Sequence, residues 1–378
     1  MNFGVLKNYL VLDLSRFLPG PYCSMILADH GARVITIENN FIESDIYGNP
    51  ESINRNKEHM KLNLKTIHGK DILLKLVKKA DVFIEGFRPG VCKRLEIDYN
   101  SLKKVNPGIV YASLTGYGQT GPLKDNAAHD LNCSGQGGAL SLMGFNDSGP
   151  LIPGIQVADI SGGLNTAIGI LLALLSREKT GKGQYIDVSM TDSVTALLPI
   201  AFSHYLDYGE NFVCGNHNLS HKWAWYNIYK TKDNKFLTFA PMEKKLWDKF
   251  CKNLNLHDYI DLQFDIDNSE KIKKHLIKIF ITKNLDEWMK LLRQWDVCGG
   301  EIMNIEDILE SENSLKREMI VRIEGYERPL IGIPIKLSDN PGSIRTSPSR
   351  FGQHTESILK EIGYSSFEIN SFKEQGVV

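Results

Sequence analysis

His129 and Asp159 are the two side chains in this sequence whose chemistry and setting stand out. His129 lies in Ala128-His129-Asp130-Leu131-Asn132, and Asp159 in Val157-Ala158-Asp159-Ile160-Ser161-Gly162-Gly163. Each group can carry a proton, and a carboxylate such as Asp159 can also act as a nucleophile. Small or turn-prone residues follow both. On the residues alone a plainer reading competes: His129 as a structural or surface histidine, and Asp159 as an acidic residue at the start of an apolar helix, favoured there by the helix dipole.

The elements that must position these groups read as alternating strands and helices. Residues 9–14 form a short apolar run of strand length, and Ser15 to Pro21 carries the loop signal Pro19-Gly20-Pro21. Residues 22–30 fit a helix closed by Gly31, and the β-branched run 33–38 is the next strand. That is a βαβ unit, and such units favour a parallel sheet covered by helices. The pattern repeats with a helix over 70–79 and strands over 81–85 and 108–114. Then come an apolar helix over 162–177, a turn over 180–184 and a strand over 185–189. The predicted fold class is α/β, a Rossmann-like parallel-sheet large domain over 1–200 with ligands at the carboxyl ends of its strands. A smaller domain is predicted over 205–320, and residues 325–378 are a return segment to the large domain. No GxGxxG follows the first strand, which argues against a simple nicotinamide dehydrogenase.

Bulk properties exclude several classes. The 378 residues are 42% hydrophobic and 24% charged with a net charge of -1, so charge gives no argument for nucleic acid or an anionic membrane. The first residues lack the basic-then-apolar order of a signal peptide, and the longest apolar run, 168–175, is too short to span a bilayer. The six cysteines have no CxxC pair and the histidines no HExxH, so no metal site is expected. Scattered cysteines in a large chain suggest reduced thiols and a cytoplasmic location.

Several segments, in order, resemble the class III CoA-transferase (CaiB/BaiF) family along essentially the whole chain. They include Leu14-Ser15-Arg16 with Pro19-Gly20-Pro21, Asn54-Arg55-Asn56-Lys57 and Glu85-Gly86-Phe87-Arg88-Pro89-Gly90. Gly116-Tyr117-Gly118-Gln119-Thr120-Gly121-Pro122, Ala158-Asp159 with Gly162-Gly163, and Thr180-Gly181-Lys182-Gly183-Gln184 follow. The resemblance implies two domains in a homodimer whose chains are interlinked like rings. CoA arrives as part of the substrate, and no other cofactor is implied.

The resemblance also implies one of two chemistries. The family's transferases use the aspartate matching Asp159 as nucleophile, through mixed anhydride and aspartyl-CoA thioester intermediates. Its α-methylacyl-CoA racemases use the same aspartate as an acid/base opposite a histidine in a motif that residues 128–132 match. A glutamate early in the small domain maps to Glu243, which in this reading orients His129. The racemase branch is the expectation, epimerisation of a 2-methylacyl-CoA by 1,1-proton transfer. CoA transfer between carboxylic acids is the alternative, and an idle CoA-binding accessory protein the second. Unperturbed values near 6.5 for His and 3.9 for Asp make His129 the first base and require Asp159 to be raised. The backbone of Gly162 and Gly163 is the expected donor to an enolate oxygen and a place for close approach of CoA. Arg16, Arg55 and Arg88 are expected to bind CoA phosphates, because guanidinium suits bidentate phosphate contact, with internal salt bridges as the plainer alternative; the resemblance favours the Arg88 segment and adds Asp130 at the CoA site. Many relatives carry a charged or proline-bearing segment where Ile37-Glu38-Asn39-Asn40 stands, so a CoA contact from that loop is not expected. The aromatic cluster 223–229 lines the acyl pocket or belongs to the core.

Overall fold

The structure is a computed structural model that describes residues 4–39, 51–145 and 147–378. The chain divides into two compact units. The larger takes Met1–Ala139, Pro153–Leu198 and Glu312–Val378. Its centre is a six-stranded parallel sheet of β1 (Leu10–Asp13), β2 (Arg33–Glu38), β3 (Lys57–Lys61), β4 (Val82–Glu85), β5 (Val110–Thr115) and β6 (Tyr185–Ser189). The order is β3-β2-β1-β4-β5-β6, the doubly wound arrangement whose switch point lies between β1 and β4. Leu12 stands beside Ile35 on one side and Phe83 on the other.

Residues of β1, β2, β4 and β5 alternate between two buried faces, which is why these strands read as continuous apolar runs. Leu12, Ile35, Phe83 and Tyr111 pack with α2 (Ile67–Val77) and with Ile358, Leu359, Ile369 and Phe372 of the two C-terminal helices. Val11, Val34, Val82 and Val110 face the other way, against Cys23 and Leu27 of α1 (Pro19–Asp29) and, beyond the short α3 (Asp130–Gln136), Ile170 and Leu174 of α4 (Val157–Thr180). The β3 strand has a charged sequence, Lys57-Glu58-His59-Met60-Lys61, that periodicity does not reveal as a strand.

Two local readings change. Pro19-Gly20-Pro21 is the first turn of α1 and not a loop, because first-turn amides have no intrahelical acceptor and proline forfeits nothing there. The α4 helix begins five residues before the expected 162, at Val157, so Asp159 lies inside its first turn. Its polar and small residues extend it beyond the apolar run. Among the described residues it is the one helix long and apolar enough to cross a membrane, yet half of that stretch is buried in the fold.

The smaller unit takes Leu140–Ile152 and Pro199–Ser311. It therefore begins before 205, ends before 320, and includes a short segment from between α3 and α4. Its antiparallel sheet orders β9 (Gly299–Glu301), β8 (Phe236–Phe239) and β7 (Asn227–Lys230) side by side. The helices α5 (Lys244–Asn253), α6 (Ile266–Phe280) and α7 (Leu285–Trp295) contribute Trp247, Phe250, Phe280 and Trp288 to its core. Trp223, Trp225 and Tyr229 join that core, which settles them as packing residues.

Candidate active site

The site is built where β5 ends. Gly116 follows that strand and its carbonyl accepts the Thr191 hydroxyl (2.8 Å) and amide (3.0 Å). A Cβ on Gly116 would stand 2.3 Å from that of Ala128, so only glycine admits the 128–132 segment this close. Gly118 has φ of 78°, and the next amide, Gln119, is held by the Asp187 carboxylate at 3.1 Å. The 116–122 segment and the end of β6 thus brace each other.

His129 is the N-cap residue of α3, with its amide donating to Asn132 Oδ1 at 3.2 Å. Its ring is exposed and meets the Phe17 ring edge-on, with centroids 6.2 Å apart. Asp130, the next residue and one expected at the CoA site, is bonded to α4. Its Oδ1 accepts the amides of Ala158 (2.8 Å) and Asp159 (3.1 Å). Those are first-turn amides of α4, which have no acceptor within their own helix. One carboxylate therefore ties the His129 segment to the helix turn that carries Asp159.

Burial pushes the Asp159 carboxyl up to about 6, and the neighbouring negative Asp130 adds to the rise. A helix N-terminus ordinarily favours an anion, but here Asp130 already occupies it.

The glycines after Asp159 are corrected in role. Both are buried; a Cβ on Gly163 would stand 2.6 Å from Pro19 O and one on Gly162 2.9 Å from Met190 Cγ. They let α4 close onto α1 and Met190, and as helix-interior residues they offer neither enolate donors nor access for CoA.

The arginines also divide. Arg55 is fully buried and donates to both oxygens of Asp29, Nη2 at 2.7 Å, and to Ile331 O. With those donors committed it is an internal ion pair, and its expected phosphate contact is withdrawn. Arg16 and Arg88 are exposed in the loops after β1 and β4. Arg16 borders a cavity of about 400 Å³ at the carboxyl ends of the strands, lined also by Phe87, Lys65 and Arg94. Lys65 and Arg94 were not singled out from the sequence. Arg94 follows β4, a strand flanking the switch point, whereas Lys65 follows the edge strand β3 and carries no such signal. Asn39 borders this cavity too, whereas Asn40 lies outside the described residues. Glu243 belongs to the smaller unit, exposed at the N-cap of α5 with no side-chain capping bond.

Comparison with known proteins gives a consistent result. The model of CoA-transferase family III matches residues 6–355. An acyl-CoA transferase of Fusarium pseudograminearum (strain CS3096) is 31% identical, covering 99% of this chain and 88% of its own. The human alpha-methylacyl-CoA racemase is 30% identical, covering 99% and 97%. A solved CAIB/BAIF family protein from Brucella suis superposes with a TM-score of 0.86 at 28% identity, over 96% of this chain and all of that one.

Proposed function

The chain belongs to CoA-transferase family III, and from that premise we propose that it epimerises a 2-methylacyl-CoA by 1,1-proton transfer between His129 and Asp159. The observation that carries this reading is the half-buried Asp159 carboxyl, raised to about 6 by burial and further by the neighbouring Asp130. At pH 7 an ordinary aspartate is protonated in roughly one molecule in a thousand, whereas a value near 6 gives about one in ten. That hundredfold gain supplies an acid without losing the base. In one direction His129 takes the α-proton and protonated Asp159 returns one to the opposite face; in the other the roles exchange. The α3 amides of Asp130 and Leu131, at a helix start directly after His129, are the donors we assign to the enolate oxygen.

The nucleotide portion of CoA is assigned to the cavity bordered by Arg16, Lys65 and Arg94, with Phe87 as the aromatic wall. Arg88 stands in the same loop as Phe87 and is assigned to a phosphate. CoA comes with the substrate. A homodimer is part of the proposal. It is supported by exposed Leu164, Ile168, Leu172 and Leu175 along one side of α4, a contiguous apolar stripe of a kind that marks contact surfaces. Sedimentation of the purified protein tests it.

CoA transfer is the second reading, favoured by the transferase among the similar proteins. Above pH 6 Asp159 is mostly ionised and can attack a thioester carbonyl. One experiment separates the two. Purified protein is incubated in D2O with (S)- and (R)-2-methylacyl-CoA without an acceptor acid, and the α-position is followed by NMR. Deuterium entering from both enantiomers, with His129→Ala blocking it, is the expected result. CoA appearing on an added carboxylate without α-exchange would replace it with the transferase reading. Neither activity would leave an idle CoA-binding protein.

A further inference from the structure

Phe17 has φ of 63°, in the left-handed region that bulky side chains avoid. Among the described residues the other six non-glycine residues with positive φ are Asn, Asp or Glu, so Phe17 alone is apolar. Its ring gains little from burial, being 56% exposed. Neither core packing nor turn chemistry accounts for an aromatic at this position. What the ring does contact is His129, edge-on at 77° between planes.

The loop beneath is held hard enough to maintain this conformation. Asp13, fully buried at the end of β1, accepts the Ser15 amide at 2.9 Å and the hydroxyls of Ser15 and Ser24. Lys57 Nζ, also buried, donates to Pro21 O at 2.7 Å in the first turns of α1. Gly20 lies so close to Ser15 that a Cβ there would stand 2.0 Å from the hydroxyl oxygen. The residues between β1 and α1 are therefore fixed at both ends. Strained residues persist where their surroundings over-determine them, and they cluster at functional sites. In this loop Arg16 has its guanidinium 6.0 Å from the Phe87 ring at the cation-lined cavity, and the next residue meets the imidazole.

We propose that Phe17 is a positioning residue for His129, an aromatic stop that fixes the plane of an otherwise exposed imidazole; the catalytic consequence rests on the reading of His129 as an acid/base. An edge-to-face ring pair has a preferred geometry and restricts rotation of the partner. His129 must present one ring nitrogen to the α-carbon, and small errors in the placement of a base are costly. Phe17 acts through His129 and not on the substrate.

The test uses Phe17→Asn, which removes the ring but suits the left-handed conformation, and Phe17→Tyr, which restores the ring. The Asn variant is expected to unfold at the wild-type Tm or above it. Its kcat for α-proton exchange is expected to fall about tenfold with KM for the acyl-CoA unchanged, and the Tyr variant to recover within about twofold. Independently of activity, the His129 Cε1–H resonance in histidine-labelled protein, assigned with His129→Ala, is expected to move in the Asn variant and to return in the Tyr variant. An unmoved resonance overturns the proposal. So does a rise in KM with kcat held, which would place Phe17 on the substrate. A lowered Tm with activity tracking the folded fraction overturns it too, because the ring would then be structural. If the wild-type protein neither exchanges nor transfers while the resonance shift appears as expected, the assigned reaction fails and the positioning stands.

Discussion

Two clusters of carboxylates in the larger unit have opposite fates. Asp29 is buried with Arg55 bonded to both its oxygens, and Asn56 Nδ2 donates to it at 2.8 Å. The other face of that network, Asn56 Oδ1, accepts the amides of Arg345 and Thr346 at 2.6 and 3.0 Å. Every charge there has a partner, and the result ties the segment before β3 to α1 and to the returning chain near 345. Asp130 and Asp159 are also adjacent, but among the described residues neither has an ion-pair partner within bonding distance. Amides hold one of them, and the other is left partly buried beside it and titrates high. A satisfied buried charge fixes structure. A carboxyl placed against a like charge is held in readiness to keep a proton.

The contrast is sharpest if one residue of each cluster is changed. Asp159→Asn is expected to lower α-proton exchange by about 10²–10⁴-fold, the usual contribution of an acid/base group. It should not destabilise the protein, and the sign follows from the titration. At pH below the ordinary value of 3.8 the carboxyl is protonated in folded and unfolded chains alike and contributes nothing. As pH rises toward about 6 the unfolded chain ionises first, so stability falls, and above about 6 the loss is complete. Allowing for the solvent that reaches the group, that loss is about 1–2 kcal/mol. Urea unfolding should therefore find Asp159→Asn equal to wild type near pH 4 and more stable at pH 7.5. A variant less stable at pH 7.5 would break the comparison, because Asp159 would then be a structural group.

Arg55→Ala is the reciprocal change. It leaves Asp29 buried without its cation, and removing one member of a buried pair costs about 3–5 kcal/mol. Urea unfolding is expected to show that loss, while kcat per folded molecule stays at the wild-type level. Loss of CoA affinity at unchanged stability would restore Arg55 to the CoA site and erase the distinction.

The sequence makes one side of this comparison far more legible than the other. Strands β1, β2, β4 and β5 announce themselves because a doubly covered sheet needs continuous β-branched or apolar runs, and the half-exposed edge strand β6 does so by the alternation of Ile186 and Val188 with polar residues. The β3 strand does not, since Lys57 and His59 are buried through polar partners and not through hydrophobicity. His129 and Asp159 stand out by motif, but the bonds from the α4 amides to Asp130 that join their segments do not. Asp130 reads as one more acidic residue until α4 is seen to start at Val157. Nor can sequence separate Arg55 from Arg16, because which one meets a carboxylate depends on Asp29, 26 residues earlier in the chain.

The smallest expected effect is also the most specific to the bridge between the two segments. Asp130→Asn keeps an oxygen that can accept the amides of Ala158 and Asp159, and Asn serves nearly as well as Asp at a helix start. The geometry of α4 should survive, and Tm should change by no more than a few degrees. What is removed is the charge. Burial is the larger cause of the raised Asp159 value and Asp130 the smaller, so the carboxyl should fall only part of the way back toward 3.8. In the direction that uses protonated Asp159 as the acid, exchange declines as pH rises through its titration. The midpoint of that decline should therefore move to lower pH, by less than about one unit. Measuring exchange from both enantiomers between pH 5 and 8 checks it, a range that spans the titration of Asp159. A midpoint that stays put would mean that burial alone sets the value and that Asp130 is only a cap. A midpoint that moves while stability does not would establish the like charge, and not the hydrogen bonds, as what separates this pair of carboxylates from the paired one at Asp29.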